Sequence, residues 1–500
     1  MTQFARIPSL AMALTLMAML PGCAVGPDFR RPEAPKTKTQ GGPALPQQTE
    51  SAPGLGGNAQ RFVPGQEVAA RWWTAFGSPE LNDLVAAALQ ASPDLQAAEA
   101  ALRAARETAA AQRGSFWPSA DVSLNTTRQK ATELDADPTV YTLHTAQVSV
   151  SYAPDVFGGS RRQAEALAAQ TQVQRFQREA VYMTLAANVV STAIEEASLR
   201  AQIAATRELI GLAGRLVDVM RRQQQAGQVG GADVAAQEAA LAQVQATLPP
   251  LEQRLAEQRN RLTVLAGRLP ADPVAQQFEL ASLTLPTELP VSLPSSVVQQ
   301  RPDVRAAEAQ WHAASAQVGV ATAARLPSIT LTATLSSSSA TLSQLWRSGN
   351  GVWSVGGGLL QPVFRGGALL HEQRAAEAAY DQAAAQYRST VLSAFQNTAD
   401  VLQAIVSGAE ALRAASAAET ASRKSLGMAH RQQELGATSQ AELVLAQQTH
   451  QQAVLARVQA QAARYANTVA LYQALGGGWQ AEDAAPPSPE TKTVDQRAIP

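Results

Sequence analysis

The stretches "SPDLQAAEAAL" at Ser92–Leu102 and "RPDVRAAEAQW" at Arg301–Trp311 are two spellings of one segment, and their agreement decides the fold. Pro93 and Pro302, Asp94 and Asp303, and Glu99 and Glu308 stand at one constant offset. The same offset relates Pro118-Ser119 in "FWPSADVSL" to Pro327-Ser328 in "RLPSITLTA", and "RQQQAG" from Arg222 to "RQQELG" from Arg431. Phe157-Gly158-Gly159 answers Phe364-Arg365-Gly366-Gly367 with a small slip. A long period of this kind marks a tandem duplication of one structural unit. The units cover residues 80–267 and 294–476 and are joined by a proline-rich linker at 268–293. Residues 23–79 precede them and a tail at 477–500 follows. Within these flanks 24–70 and 480–500, rich in Pro, Gly and polar residues, read as extended or disordered.

Each unit follows one grammar. A helix opens at Pro93 or Pro302, where proline suits the first helical position and the next aspartate suits the positive end of the dipole. It is expected to run to about Arg113 or Ala324. Then Ala120, Val122, Leu124 and Thr126 alternate with Asp121, Ser123, Asn125 and Thr127. Period two predicts a strand with one apolar and one polar face. Its partner carries Ala146, Val148, Val150 and Tyr152 on one side. The second unit repeats the scheme with Ile329, Leu331, Ala333 and Leu335, then Trp353, Val355, Gly357 and Leu359, so four strands are expected in all. After each strand pair comes a proline-free helical run, Ser160–Ala226 and Ala368–Leu435, each about 100 Å long at ~1.5 Å per residue. Both stop at a glycine, Gly227 or Gly436, and shorter helices return over Ala232–Ala266 and Ser439–Ala474. Pro249-Pro250 lies inside the first return helix only and is expected to bend it, because proline removes a helical hydrogen bond and clashes with the preceding turn.

Four amphipathic strands need a home for their apolar faces. The remaining sequence is helix, so no second sheet is available to form a sandwich. In lipid, the apolar faces are satisfied only if no edge stays open, and closed membrane barrels start at about eight strands. Four strands cannot close alone; two copies of the chain would give a narrow barrel filled by side chains, and three copies a twelve-stranded one with an aqueous lumen.

The beginning of the chain points to the same compartment. A basic start ending in Arg6 and an apolar run from Leu10 to Leu20 read as a secretory signal peptide at residues 1–22, too short to span a bilayer core. Leu20-Pro21-Gly22-Cys23 resembles the bacterial lipobox, which makes Cys23 the candidate lipid-attachment residue and palmitate one of the expected acyl chains. It is the chain's only cysteine, so it has no intramolecular disulfide partner. In bacterial lipoproteins the absence of Asp after the lipidated cysteine, here Ala24, implies sorting to the outer membrane.

Composition is consistent with this. Charged residues make up 16% of the 500 positions, against about 25% in soluble proteins. A formal net charge of −1 without a basic stripe gives no support for nucleic-acid binding. Enzyme chemistry is hard to find. His371-Glu372 lacks the second histidine of a helical zinc site, and His144, His312, His430 and His450 are scattered. Gly54–Gly57 and Gly356–Gly358 lack the setting and lysine of a phosphate loop. No catalytic residue, metal or cofactor is expected. A structural coiled-coil lipoprotein spanning the periplasm is the other alternative, and it has no use for lipid-facing hairpins.

The sequence as a whole resembles the outer-membrane factors, the TolC-like channels, and in particular the lipoprotein branch found in multidrug efflux systems. The resemblance is carried by "GCAVGPDFRRP" from Gly22, "RWWTAFGSPELNDLV" from Arg71, the two repeat segments quoted first, "PVFRGG" from Pro362 and "ALGGGW" from Ala474. It implies a mainly helical chain with a β-barrel part, a homotrimer with a twelve-stranded barrel and a helical periplasmic tunnel, and an equatorial region built from the linker and chain ends. It also implies a periplasmic adaptor and an inner-membrane pump of the RND type as partners, with outer-membrane lipid around the barrel. The exit duct of a type I secretion system is the alternative role.

By the same resemblance the hairpin tips meet the adaptor and close the tube. The candidate adaptor contacts are Gly227, Gly230, Gly231, Gly436, Ala437 and Thr438. The candidate gate residues are Leu445, Glu442, Asp233, Arg222 and Arg431. Ser439 and Glu442 also fit a capping box for the return helix, and Arg222 and Arg431 are placed to pair with Asp233 and Glu442 across the turns. Family members often carry an acid just before an Ala-Gln on the return helix. Here Leu445 stands at that position, before Ala446-Gln447, and an apolar collar is expected in place of an acidic ring.

Overall fold

The computed structural model describes residues 24–33, 45–131, 139–291 and 294–479. The expected signal peptide, Cys23 and the tail beyond Trp479 lie outside the described residues. In chain order the elements begin with β1 (Arg61–Pro64), a short 3-10 turn (Trp72–Phe76), α1 (Pro79–Ala91), α2 (Pro93–Gly114), β2 (Ser119–Ala131) and β3 (Thr139–Tyr152). Next come α3 (Gly159–Gln225), α4 (Gly231–Ala246), α5 (Leu248–Leu265), β4 (Glu288–Val291) and α6 (Pro294–Gln300). The second half continues with α7 (Pro302–Ala323), β5 (Ser328–Ser339), β6 (Gly351–Leu360), α8 (Ala368–Glu434) and α9 (Gln440–Ala474).

Local chemistry accounts for the boundaries. Ser92 Oγ accepts from the Leu95 N–H at 3.4 Å, capping α2 with Pro93 at its first position. The long helices α3 and α8 have 67 residues each, about 100 Å of rod. They end at Gly227 and Gly436, whose φ values of 74° and 69° are left-handed. The Gln228 N–H then reaches Gln223 O, and the Ala437 N–H reaches Gln432 O, both at 2.8 Å, which satisfies carbonyls the helix leaves open. The first return helix stops at Ala246 and restarts at Leu248 with Pro249-Pro250 in its opening turn, whereas α9 runs 35 residues without a break. The expected bend is thus an interruption at Thr247.

The chain divides into two compact units. One comprises residues up to Pro32, Ala100–Arg175 and Ala306–Arg388. It contains a single antiparallel sheet in the order β2-β3-β5-β6. Small residues let its helices approach closely: Ala166, Ala169, Ala313 and Ala316 are all buried.

The other unit comprises Glu33–Glu99, Phe176–Arg305 and Ser389–Pro500, and it contains the main hydrophobic core. Trp72 stacks on Tyr472 with centroids 5.2 Å apart, Phe76 lies against Tyr465, and Leu84, Val190, Phe278 and Leu289 fill the space around them. Here the sequence expectation needs correction. There are six strands among the described residues, because β1 pairs in parallel with β4 of the linker, Arg61 opposite Glu288 through Pro64 opposite Val291. The 45–70 stretch is therefore anchored, not loose. Its main fastener is Arg464 on α9, 2% exposed, which donates to Gly56 O (2.7 Å), Asn58 O (3.0 Å), Thr49 Oγ1 (3.2 Å) and Gln60 Oε1 (3.2 Å).

Candidate functional site

The strand register brings every expected apolar residue onto one face. Val122, Val148, Leu335 and Trp353 form one cross-strand row, and Ala120, Val150, Ala333 and Val355 the next. These side chains are bare: Val122 is 81% exposed, and Trp353 and Val355 are each 74% exposed. Asp121, Ser149, Thr334 and Ser354 line the opposite face. There Thr334 and Ser354 share a hydroxyl hydrogen bond at 2.7 Å, and Thr145 and Ser338 one at 3.0 Å. One face is built for hydrocarbon and the other for water. Strands β2 and β6 each have an edge with no partner strand among the described residues. Open edges of this length are intolerable in lipid and demand another chain.

The chain just after Cys23 is docked in the same unit. The Val25 N–H donates to Phe157 O at 3.0 Å, directly after β3. Arg162, whose side chain is 6% exposed, donates to Val25 O, to Gly26 O and to the Asp28 carboxylate at 2.6 Å. A Cβ on Gly26 would come within 2.4 Å of Gly319 Cα, so glycine is required on the strap. Phe29 stacks on His312 at 4.5 Å, and Arg31 pairs with Glu308 at 3.0 Å. Glu165 accepts from both Arg162 and His312. Burial pushes its carboxyl up, but the hydrogen bonds and charges of His312 and Arg162 together outweigh burial and hold it below the ordinary glutamate value. Sequence reasoning left this strap as an extended end, and the only visible signal was the "GPDFRRP" of the lipoprotein resemblance.

At the tips the structure separates the sequence-selected residues. Asp233 accepts from the Gly230 N–H at 3.1 Å, Glu442 takes the Thr438 hydroxyl, and Arg222 Nε donates to Asp218 O. The expected pairs Arg222–Asp233 and Arg431–Glu442 are not formed within the chain. Instead Arg221, one residue earlier, reaches Glu238 across the hairpin at 2.7 Å. Ser439 Oγ accepts from the Glu442 N–H at 3.3 Å, so half of the capping box is present, and the Glu442 carboxylate turns to Thr438 instead of closing it. Leu445 is 62% exposed.

What links the two hairpins is neutral. Gln237 on α4 donates to Gln447 on α9 at 3.2 Å, Gln448 donates to Gln243 at 3.1 Å, and Gln459 donates to Gln202 of α3 at 3.2 Å. Gln447 Nε2 and Gln223 Oε1 are buried without a partner. Sequence reasoning missed these pairs because a glutamine-rich helix reads as a solvated face, and which glutamines turn inward is set by packing between the hairpins.

An apolar-faced hairpin in duplicate, with a 67-residue helix after each copy, narrows the identity to a helical channel of the outer membrane. The family profile described as "Outer membrane efflux protein" matches twice, over residues 84–268 and 293–477. The chain belongs to the outer membrane efflux protein family. It is an outer-membrane efflux channel, a component of an efflux pump system. It is 32% identical over 425 residues to the pyoverdine export outer membrane protein OpmQ of Pseudomonas putida, covering 82% of this chain and 89% of that protein. The toluene efflux pump outer membrane protein TtgC of Pseudomonas putida is 30% identical over 480 residues, covering 94% and 95%. Among solved structures, the outer-membrane channel OprN superposes with a TM-score of 0.81 at 26% identity, over 92% of this chain and all of that one.

Proposed function

We propose that three copies of this chain close a twelve-stranded barrel in the outer membrane and conduct small molecules delivered by an inner-membrane pump of the RND type through a periplasmic adaptor. The observation that carries this reading is the four-stranded sheet with one apolar face and two open edges. Pairing β6 of each copy with β2 of the next removes every edge and leaves a polar lumen. Cys23 carries the acyl anchor, and the strap that follows it is docked from Val25 onward against the loop after β3 and Arg162. Native mass spectrometry in detergent tests the assembly: a three-chain complex is expected, and a stable monomer that conducts overturns it.

The tips hold the resting closure. Exposed backbone around Gly227, Gly230, Gly231, Gly436, Ala437 and Thr438 receives the adaptor, and Leu445 from three copies forms an apolar collar that hinders ions by dewetting. Asp233 and Ser439 cap the return helices, Glu442 is held by Thr438, and the glutamine pairs keep the two hairpins together. Opening follows when an adaptor binds the parted hairpins better than the joined ones, since a ligand shifts an equilibrium only by its differential affinity. Leu445→Ser and Gln447→Ala are each expected to raise resting single-channel conductance in planar bilayers, independently of calcium. Strong calcium block of the wild type would place carboxylates at the constriction instead.

A further inference from the structure

All four helix connections of the sheet are at one end, because β2 and β5 start after α2 and α7 while β3 and β6 finish before α3 and α8. This end holds a cavity of about 380 Å3 between the β3–α3 loop, the end of α7 and the loop after β6. Val156, Phe157, Val320, Ile329 and Leu360 give it an apolar lining. Two charged residues border it. The Asp155 carboxylate is already occupied, accepting the N–H groups of Ser160 (3.0 Å) and Arg161 (2.9 Å) and pairing with Arg161 Nε at 3.2 Å. Arg365 is exposed and makes no ion pair among the described residues.

The surroundings say what fits. Ile329 faces Leu359 across the strands on the apolar side, while Ser328 and Leu360 pair on the other face, so the Ile329 wall of the cavity continues into the membrane face. Trp117, just before β2, and Phe364, just after β6, are 75% and 87% exposed at the same end. Aromatic side chains in that position mark the headgroup level of a membrane barrel. A guanidinium at headgroup depth above an apolar slot is the complement of a phosphate carrying an acyl chain.

We propose that this cavity binds one phospholipid of the periplasmic leaflet per chain, with the phosphate on Arg365 and an acyl chain leaving over Ile329 along the membrane face. The site extends the channel reading and depends on the sheet lying in the membrane. The lipid seals the foot of the sheet, where the strands hand over to helices and backbone regularity is lost.

Native mass spectrometry of the full-length protein titrated with phosphatidylglycerol tests this. One retained lipid per chain is expected for the wild type. Arg365→Gln should weaken binding about tenfold, and Ala324→Trp should exclude the lipid by filling the cavity while keeping the charge. Arg325→Gln removes a nearby exposed arginine that hydrogen-bonds Gln373 and should change nothing. Equal losses in Arg365→Gln and Arg325→Gln would reduce the site to diffuse attraction, and displacement by inorganic phosphate would make it an anion site; either result overturns the proposal. Conductance should stay at the wild-type value in all three variants, so loss of the lipid site and failure of the channel reading are read separately.

Discussion

Val355→Arg is expected to empty the outer membrane of this protein. Val355 sits mid-strand on β6, 74% exposed, in the row with Ala333, Val150 and Ala120. An arginine facing lipid near the midplane of a barrel costs about 2–4 kcal/mol per chain, and the proposed barrel of three copies would meet that cost three times. The neighbouring substitution Ser354→Arg points to the other face, beside Thr334, and is expected to assemble nearly normally. Folded, heat-modifiable protein in the outer-membrane fraction is the readout. Equal losses in the two variants would mean that the apolar face does not meet lipid.

The second large effect is expected at Arg464. Its guanidinium is buried by α9 and serves four acceptors on the 45–60 segment, with no carboxylate among its bonded partners. Burial lowers its pKa from the usual arginine value, and the neighbouring Tyr465 opposes that. Arg464→Ala removes four hydrogen bonds, of which those to Thr49 Oγ1 and Gln60 Oε1 are buried; at about 1–3 kcal/mol for a buried acceptor left without its partner, a loss of about 3 kcal/mol is expected. Thermal unfolding should shift down, and limited proteolysis should cut within 45–64 while the membrane sheet stays protected. Arg464→Lys keeps a charge but cannot span the fork of acceptors and should recover only part of the loss. Unchanged protease resistance in Arg464→Ala would mean that the β1–β4 pair alone holds the segment.

These two residues mark the limits of what the sequence makes legible. The membrane face was readable because alternation in Val122–Leu124 or Trp353–Leu359 is a one-dimensional pattern, and the duplication supplied each pattern twice. The tips were readable where a single residue type is required, as at Gly227 and Gly436. The Arg464 cluster was not, because its four acceptors are separated from it by most of the chain and all are ordinary loop groups. β1 and β4 have four residues each, too few to show a period. The charges at the tips misled for a related reason: Arg222 is placed by sequence opposite Asp233, but helix rotation puts Arg221 on the facing side, and helix capping had already claimed the aspartate.

The break at Thr247 has a mechanical consequence. The duplicated sequence suggests six equivalent hairpins in an assembly of three copies, yet only the first-repeat hairpin has a joint in its return helix, between Ala246 and Leu248. Its counterpart is one unbroken rod of 35 residues. Around the proposed three-copy ring, jointed and unbroken limbs would therefore alternate. A force applied evenly at the rim would be taken up first by the three jointed limbs, so the motion would have threefold symmetry from its first increment, and an adaptor gripping all six positions would meet two kinds of spring.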